Sequence, residues 1–233
     1  MTGNPLRAPS SLGRVAAVLA GLLLVAGCAS QQHPAPAPST VPAARQPTAP
    51  CAALHCAPGP TEPLTGGYAV RLWSEPQPTG ATSATPVVEL LRGGQHAGWW
   101  TGRLGFGWSA TLTCLATPAE PNCVVTSALG AHAGSAETLL LRGGALASPA
   151  TASVVFDSSA PTAADLDGDG RLDVTGMEND YKPNYAQGHN YWATYRLSGS
   201  ALHRTGCTPV AGGAAAVPPH ALLHGPCPVV PQG

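Results

Sequence analysis

Charge is scarce in this chain of 233 residues: only 10% are Asp, Glu, Lys or Arg, and Lys182 is the single lysine. The formal net charge is −1. No global field of one sign would gather nucleic acid or an anionic surface, so nucleic acid is excluded as a partner. Aromatic residues make up 5%, and every Trp, Tyr and Phe falls between residues 65 and 206. A core can form there. No segment carries a capped helical periodicity, which argues against an α-rich fold. No apolar run reaches the ~20 residues that a helix needs to cross a bilayer. No pair of cysteines has the C-x-x-C spacing of a zinc site. Gly107-Trp108-Ser109-Ala110-Thr111 lacks the closing glycine of a nucleophile elbow. His220 and His224 have the spacing of helical metal ligands, but they stand among prolines and glycines that forbid a long helix.

Glycine and proline, 28 and 25 residues, are abundant but unevenly spread, as expected for tails around a compact middle. At the N-terminal end, Arg7 and Arg14 precede an apolar stretch at 15–27, VAAVLAGLLLVAG. Its length suits the h-region of a secretory signal, about 7–15 residues. It closes on Val25-Ala26-Gly27-Cys28, which resembles the bacterial lipobox. That resemblance implies removal of residues 1–27 and a diacylglyceryl thioether on Cys28, with the membrane as a partner and the extracytoplasmic face of the cell membrane as the location. Residues 28–63 follow as a Pro/Ala-rich linker with nine prolines in 34–63. A segment so poor in large apolar groups cannot offset its ordering entropy, and is expected to be a disordered, extended tether.

Six further cysteines remain: Cys51, Cys56, Cys114, Cys123, Cys207 and Cys227. In an exported chain an even number reads as disulfides, with about 15 pairings open to it. Nearest neighbours would pair as 51–56, 114–123 and 207–227. The middle pair is favoured by two strand-like stretches around a Pro/Asn turn, whereas a link from the 51/56 region to the 207/227 region would tie the ends together.

Residues 64–207 show short apolar runs punctuated by Gly, Pro, Ser and Thr: 68–73, 86–91, 109–115, 123–129, 137–142, 153–156, 172–177 and 191–197. Runs of this length predict strands. The expected fold is mostly antiparallel β, propeller-blade-like or sandwich-like, followed by a Pro/Gly-rich tail at 208–233. A weak repeat supports hairpins: Leu-Arg-Gly-Gly recurs at 91–94 and 141–144, and the stretch 193–203 aligns with them through Arg196, Gly199 and Leu202. The arginine spacing, 50 and then 54 residues, lies near the period of propeller units. Three such units fall short of the four to eight blades that close a propeller.

The sharpest motif is Asp165-Leu166-Asp167-Gly168-Asp169-Gly170-Arg171-Leu172-Asp173. Four carboxylates in nine residues repel one another unless a cation intervenes, and the two glycines permit the tight turn that points alternate side chains inward. Calcium takes six to eight hard oxygens. Asp165, Asp167, Asp169 and Asp173 with the Arg171 carbonyl would supply most of them. An EF-hand is excluded, because Gly176 stands where a bidentate Glu is required. The loop and the aromatic strand after it instead resemble the calcium-binding blade motif of FG-GAP or VCBS-type repeats, over residues 160–205. In that family the loop joins two strands of a propeller blade, calcium is structural, and function lies in adhesion or in modules carried by larger enzymes. The expected protein is therefore a membrane-anchored, extracytoplasmic calcium-binding module with a structural role or one in binding a protein or glycan ligand, and no catalysis. The alternative is an envelope hydrolase of glycan or peptide, with Glu178, Asp180 and His189 as its candidate groups.

Overall fold

The computed structural model describes residues 48–54, 56–74, 85–103, 109–116, 122–130, 132–157, 161–210 and 217–228. The signal stretch, Cys28 and the tether up to residue 47 lie outside the described residues, as do Gly107 and Trp108. No helix among the described residues is long and apolar enough to cross a membrane.

The chain builds three antiparallel sheets in succession, and within each the strands follow one another in space as they do in sequence. The first holds β1 (Ala57–Pro63), β2 (Tyr68–Ser74), β3 (Val87–Arg92) and β4 (Gln95–Thr101). The second holds β5 (Ser109–Leu115), β6 (Asn122–Gly130), β7 (Ala133–Arg142) and β8 (Ala145–Ala147). There β9 (Ser153–Phe156) also pairs with β7, opposite residues 134–137, so β8 and β9 together fill one edge. The third holds β10 (Thr162–Ala164), β11 (Asp173–Asn179), β12 (Asn190–Ser198) and β13 (Ala201–Pro209). The β-rich, sandwich-like expectation holds, and all eight apolar runs coincide with strands.

The repeat also has a structural meaning. Its three copies occupy the same place, the hairpin between the third and fourth strands of each sheet. In the first two hairpins Gly93, Gly94, Gly143 and Gly144 all have left-handed φ between 57° and 80°. Two consecutive left-handed residues are the geometry of the tightest hairpin turn, which only glycine adopts without strain.

The sheets pack by alternation. On β6, Cys123 and Val125 face the first sheet, joining Val70, Leu72, Val88, Leu90 and Trp100. Val124, between them, faces the third sheet and meets Phe156, Leu172, Val174 and Tyr195. Leu139 and Ala136 divide in the same way on β7. The two central strands of the middle sheet, β6 and β7, are thus buried on both faces, as strands covered by a layer on each side are. Trp100 is core, while its neighbour Trp99 packs edge-on against Trp73 on the opposite face of the first sheet.

Two boundaries are corrected. The expected linker runs to residue 63, yet residues 57–63 form β1, paired with β2 from Ala57↔Ser74 to Pro63↔Ala69. Pro58, Pro60 and Pro63 have no N–H to donate, so the strand can stand only at a sheet edge, and nearly all of its side chains are exposed. Backbone pairing holds it, and side-chain periodicity cannot reveal such a strand. Residues 49–51 also belong to the fold: Ala49 and Cys51 are buried against Val87, Trp73 and Trp99. At the other end, the expected free tail folds back. The Leu223 N–H donates to Thr194 Oγ1 at 2.9 Å, and the Cys207 N–H to the Gly225 carbonyl at 3.1 Å.

The three disulfides are Cys51–Cys56, Cys114–Cys123 and Cys207–Cys227, the nearest-neighbour set. The second bridges directly opposed residues of β5 and β6. The third fastens the returning tail to β13.

Gly176 on β11 lies against the Phe156 ring, where an added Cβ would stand 2.1–2.5 Å from three ring carbons. Gly176→Ala is expected to lower stability by about 1–3 kcal/mol through overpacking, measured as a lower urea midpoint at unchanged slope.

Candidate metal centre

The acidic loop connects β10 to β11, and its two ends are fixed before any ion is considered. Ala164 pairs with Asp173 across the two strands. Leu172, 1% exposed, plugs the loop into the core between the second and third sheets. Its backbone N–H also reaches Asn122 Oδ1 on β6, at 3.4 Å. Within the loop Gly168 and Gly170 have φ of 75° and 81°, the left-handed conformation that reverses the chain twice in three residues.

These reversals aim backbone N–H groups at the carboxylates. Asp165 accepts from Gly168 at 2.8 Å through Oδ1 and from Gly170 at 3.0 Å through Oδ2. Asp167 Oδ1 accepts from the Asp169 N–H at 3.1 Å, and Asp169 Oδ1 from the Arg171 N–H at 2.9 Å. Asp173 Oδ2 accepts from the Leu166 N–H at 3.0 Å. The side chains are oriented by their own loop, and such preorganisation lowers the entropy that a bound ion would otherwise have to offset.

Asp165, Asp167 and Asp173 each bring a carboxylate oxygen within 4.8 Å of the others, a group that could hold a metal ion. Asp173 is fully buried, and its Oδ1 has no hydrogen-bond partner. A buried carboxylate oxygen without a donor is costly. Burial, and after it the charges of Asp167, Asp169 and Asp165, push the Asp173 carboxyl up to about 6 from its ordinary 3.8, against the opposing pull of the Leu166 N–H.

The structure divides the expected ligand set. Asp169 is not in the three-carboxylate group; its Oδ2 accepts from Arg196 Nη2 at 2.8 Å, and that bond holds its carboxyl below the usual range. Arg196 Nε also lies 3.2 Å from Asp167 Oδ2. Arg171 contributes its N–H to Asp169, at the turn into β11. Sequence reading placed Arg196 in the repeat and gave no sign that it reaches the loop, because β12 lies beside β11 only after folding. Asn122 carried no signal at all.

Of the groups considered for hydrolysis, Asp180 and His189 meet while Glu178 is engaged elsewhere. Glu178, 5% exposed, accepts from Tyr191 at 2.8 Å, Tyr195 at 2.5 Å and Arg204 at 2.7 Å. Burial and the hydrogen bonds to Glu178 push both tyrosine hydroxyls upward. Asp180 instead organises the loop after β11: its Oδ1 accepts from the His189 and Lys182 N–H groups, at 2.8 and 3.1 Å, and its Oδ2 lies 3.3 Å from His189 Nδ1. None of the hydrogen bonds of Glu178 among the described residues leads to that loop. A pocket between the second and third sheets is lined by Ser109, Thr111, Thr126, Ser127 and Thr162, and includes none of the three. His220 and His224 lie in non-helical chain.

The same loop displays rings. Tyr181 has a φ of 54° and is held there by its N–H bond to Asn179 Oδ1, 2.7 Å. Its ring lies 5.6 Å from that of Tyr185, which in turn meets His132 at 5.5 Å.

No protein-family model, no curated protein and no solved structure matches the chain, so the chemistry of the site rests on its own residues.

Two outcomes are expected. The folded Asp173 carboxyl keeps its proton to about pH 6, whereas in the unfolded chain it ionises near 3.8. The contribution of the neutral carboxyl is therefore complete below about pH 4 and lost as pH rises through about 6. In chelator, Asp173→Asn should melt above the wild type at neutral pH and level with it in acid, as read from thermal melts across that window. Glu178→Ala leaves two tyrosine hydroxyls without their acceptor and the Arg204 guanidinium with only the Tyr195 oxygen, and should lower the unfolding free energy by about 2–3 kcal/mol in urea titration.

Proposed function

We propose that this chain is a calcium-stabilised β module, held on the outer side of a cell membrane by a lipid on Cys28, with a structural or ligand-binding role and no catalysis. The observation that carries the calcium reading is the Asp173 Oδ1 atom, buried and partnerless, in a group with Asp165 and Asp167 within 4.8 Å. A hard divalent cation supplies what that oxygen lacks, and an all-oxygen donor set favours calcium or magnesium over softer metals. Flexible geometry and a carbonyl such as that of Arg171 favour calcium of the two. The place of the loop, joining the first two strands of a four-stranded antiparallel sheet, supports the likeness to FG-GAP and VCBS-type blades. The lipobox-like Val25-Ala26-Gly27-Cys28 supports the anchor. The ring cluster of Tyr181, Tyr185 and His132 is the surface we assign to a protein or glycan ligand, since such rings stack on sugars and anchor interfaces.

Calorimetric titration of the intact, oxidised protein with calcium should give saturable one-site binding, in the ~0.1–1 mM range of extracellular modules. Asp167→Ala should abolish it, and the wild-type melting temperature should rise with calcium as mass action requires. Absence of heat up to several times that range, with melting indifferent to chelator, would reduce the loop to an acidic turn.

A further inference from the structure

The cation group already faces a positive charge supplied by the chain. Arg196 stands on β12, its side chain 46% exposed, and spans two carboxylates of the loop: Nε at 3.2 Å from Asp167 Oδ2 and Nη2 at 2.8 Å from Asp169 Oδ2. Asp167 belongs to the group that could hold a metal, and Asp169, which the motif would contribute, is outside it and on the guanidinium. Asp173, at the buried end, is beyond this arrangement, because its Oδ2 takes the Leu166 N–H and its Oδ1 has no donor.

We infer that Arg196 is an internal competitor of the divalent cation, sharing Asp167 and holding Asp169 away from the ion, and that it thereby sets the concentration at which the loop fills. This rests on the reading of the loop as a cation site. The physical basis is that one carboxylate cannot serve two adjacent cations at full strength: a guanidinium a few ångströms from a divalent ion repels it by Coulomb interaction, reduced but not removed by solvent. Arg196 reaches the loop from the exposed face, so the side chain can turn into water when an ion takes Asp167, without unpacking the core. The loop thus has one end where the guanidinium and an ion would share a carboxylate and one end where a buried oxygen has no donor from the protein. The first lowers affinity and the second makes binding worthwhile, a combination suited to a site that responds to calcium rather than holding it permanently.

The experiment is calcium titration by calorimetry at neutral pH and fixed ionic strength, on the intact protein and on Arg196→Gln, Arg196→Lys and Asp173→Asn, with far-ultraviolet circular dichroism to check folding. Arg196→Gln should bind roughly tenfold tighter than wild type. It should also melt lower in chelator, since the loop carboxylates lose their counter-charge, so that its calcium-induced rise in melting temperature is the larger. Arg196→Lys, with a compact charge that cannot span both carboxylates, should fall between. Unchanged or weaker calcium binding in folded Arg196→Gln would overturn the inference while leaving the calcium site standing. Should neither the wild type nor the arginine variants bind calcium, the cation reading itself fails. Asp173→Asn should lose binding in either case where the site is real.

Discussion

The central strands of the middle sheet, β6 and β7, are buried on both faces, and the rest of the molecule follows from that constraint. Val124 and Val125 are adjacent on β6, each with 1% exposure or less, yet they belong to different cores. A strand in that position cannot turn a polar edge to water, so a sheet must cover it on each side. The first and third sheets are those covers. The Cys51–Cys56 loop covers the far face of the first sheet at Trp73, Val87 and Trp99, and the Cys207–Cys227 strap is bonded to the edge strand of the third sheet, β13. A disulfide holds such a short segment in place by restricting the unfolded chain.

Few charges are buried, and their treatment separates structure from site. Glu89 is 3% exposed; Arg71, Trp73 and His96 surround it, at 2.6, 2.8 and 3.1 Å, and outweigh its burial so that its carboxyl stays below the usual range. Glu178 has Tyr191, Tyr195 and Arg204. Both carboxylates are met by charge-assisted bonds that the chain itself provides. Asp173 is more deeply buried than either, has a single backbone donor on one oxygen and three acidic neighbours. The contrast within one molecule is what turns an acidic loop into a candidate cation site.

The repeated hairpin shows how one local device is used for different ends. Arg92, beside the first Gly–Gly turn, lies 5.5 Å over the Tyr68 ring. Arg196, in the third copy, lies across the acidic loop. The turn is a backbone property, set by residues able to adopt a left-handed conformation, and leaves the neighbouring arginine free to serve whatever the adjoining strand presents.

What the sequence determined by itself was local. Apolar runs of strand length marked eight strands, glycine pairs marked the hairpins, and the Asp spacing marked the loop, because each of these depends on residues within a dozen positions of one another. The disulfide set was narrowed but left open by the sequence; folding chose the nearest neighbours because β5 and β6 align Cys114 with Cys123 and the two terminal segments each close on themselves. Only the tertiary structure decided that β1 pairs at an edge despite its prolines, since that strand is held by backbone bonds and not by a side-chain pattern. It alone decided which carboxylate is buried without a donor, and that Arg196, 27 residues from Asp169, meets it. Burial and charge proximity are properties of the packed sheets, and no spacing along the chain encodes them.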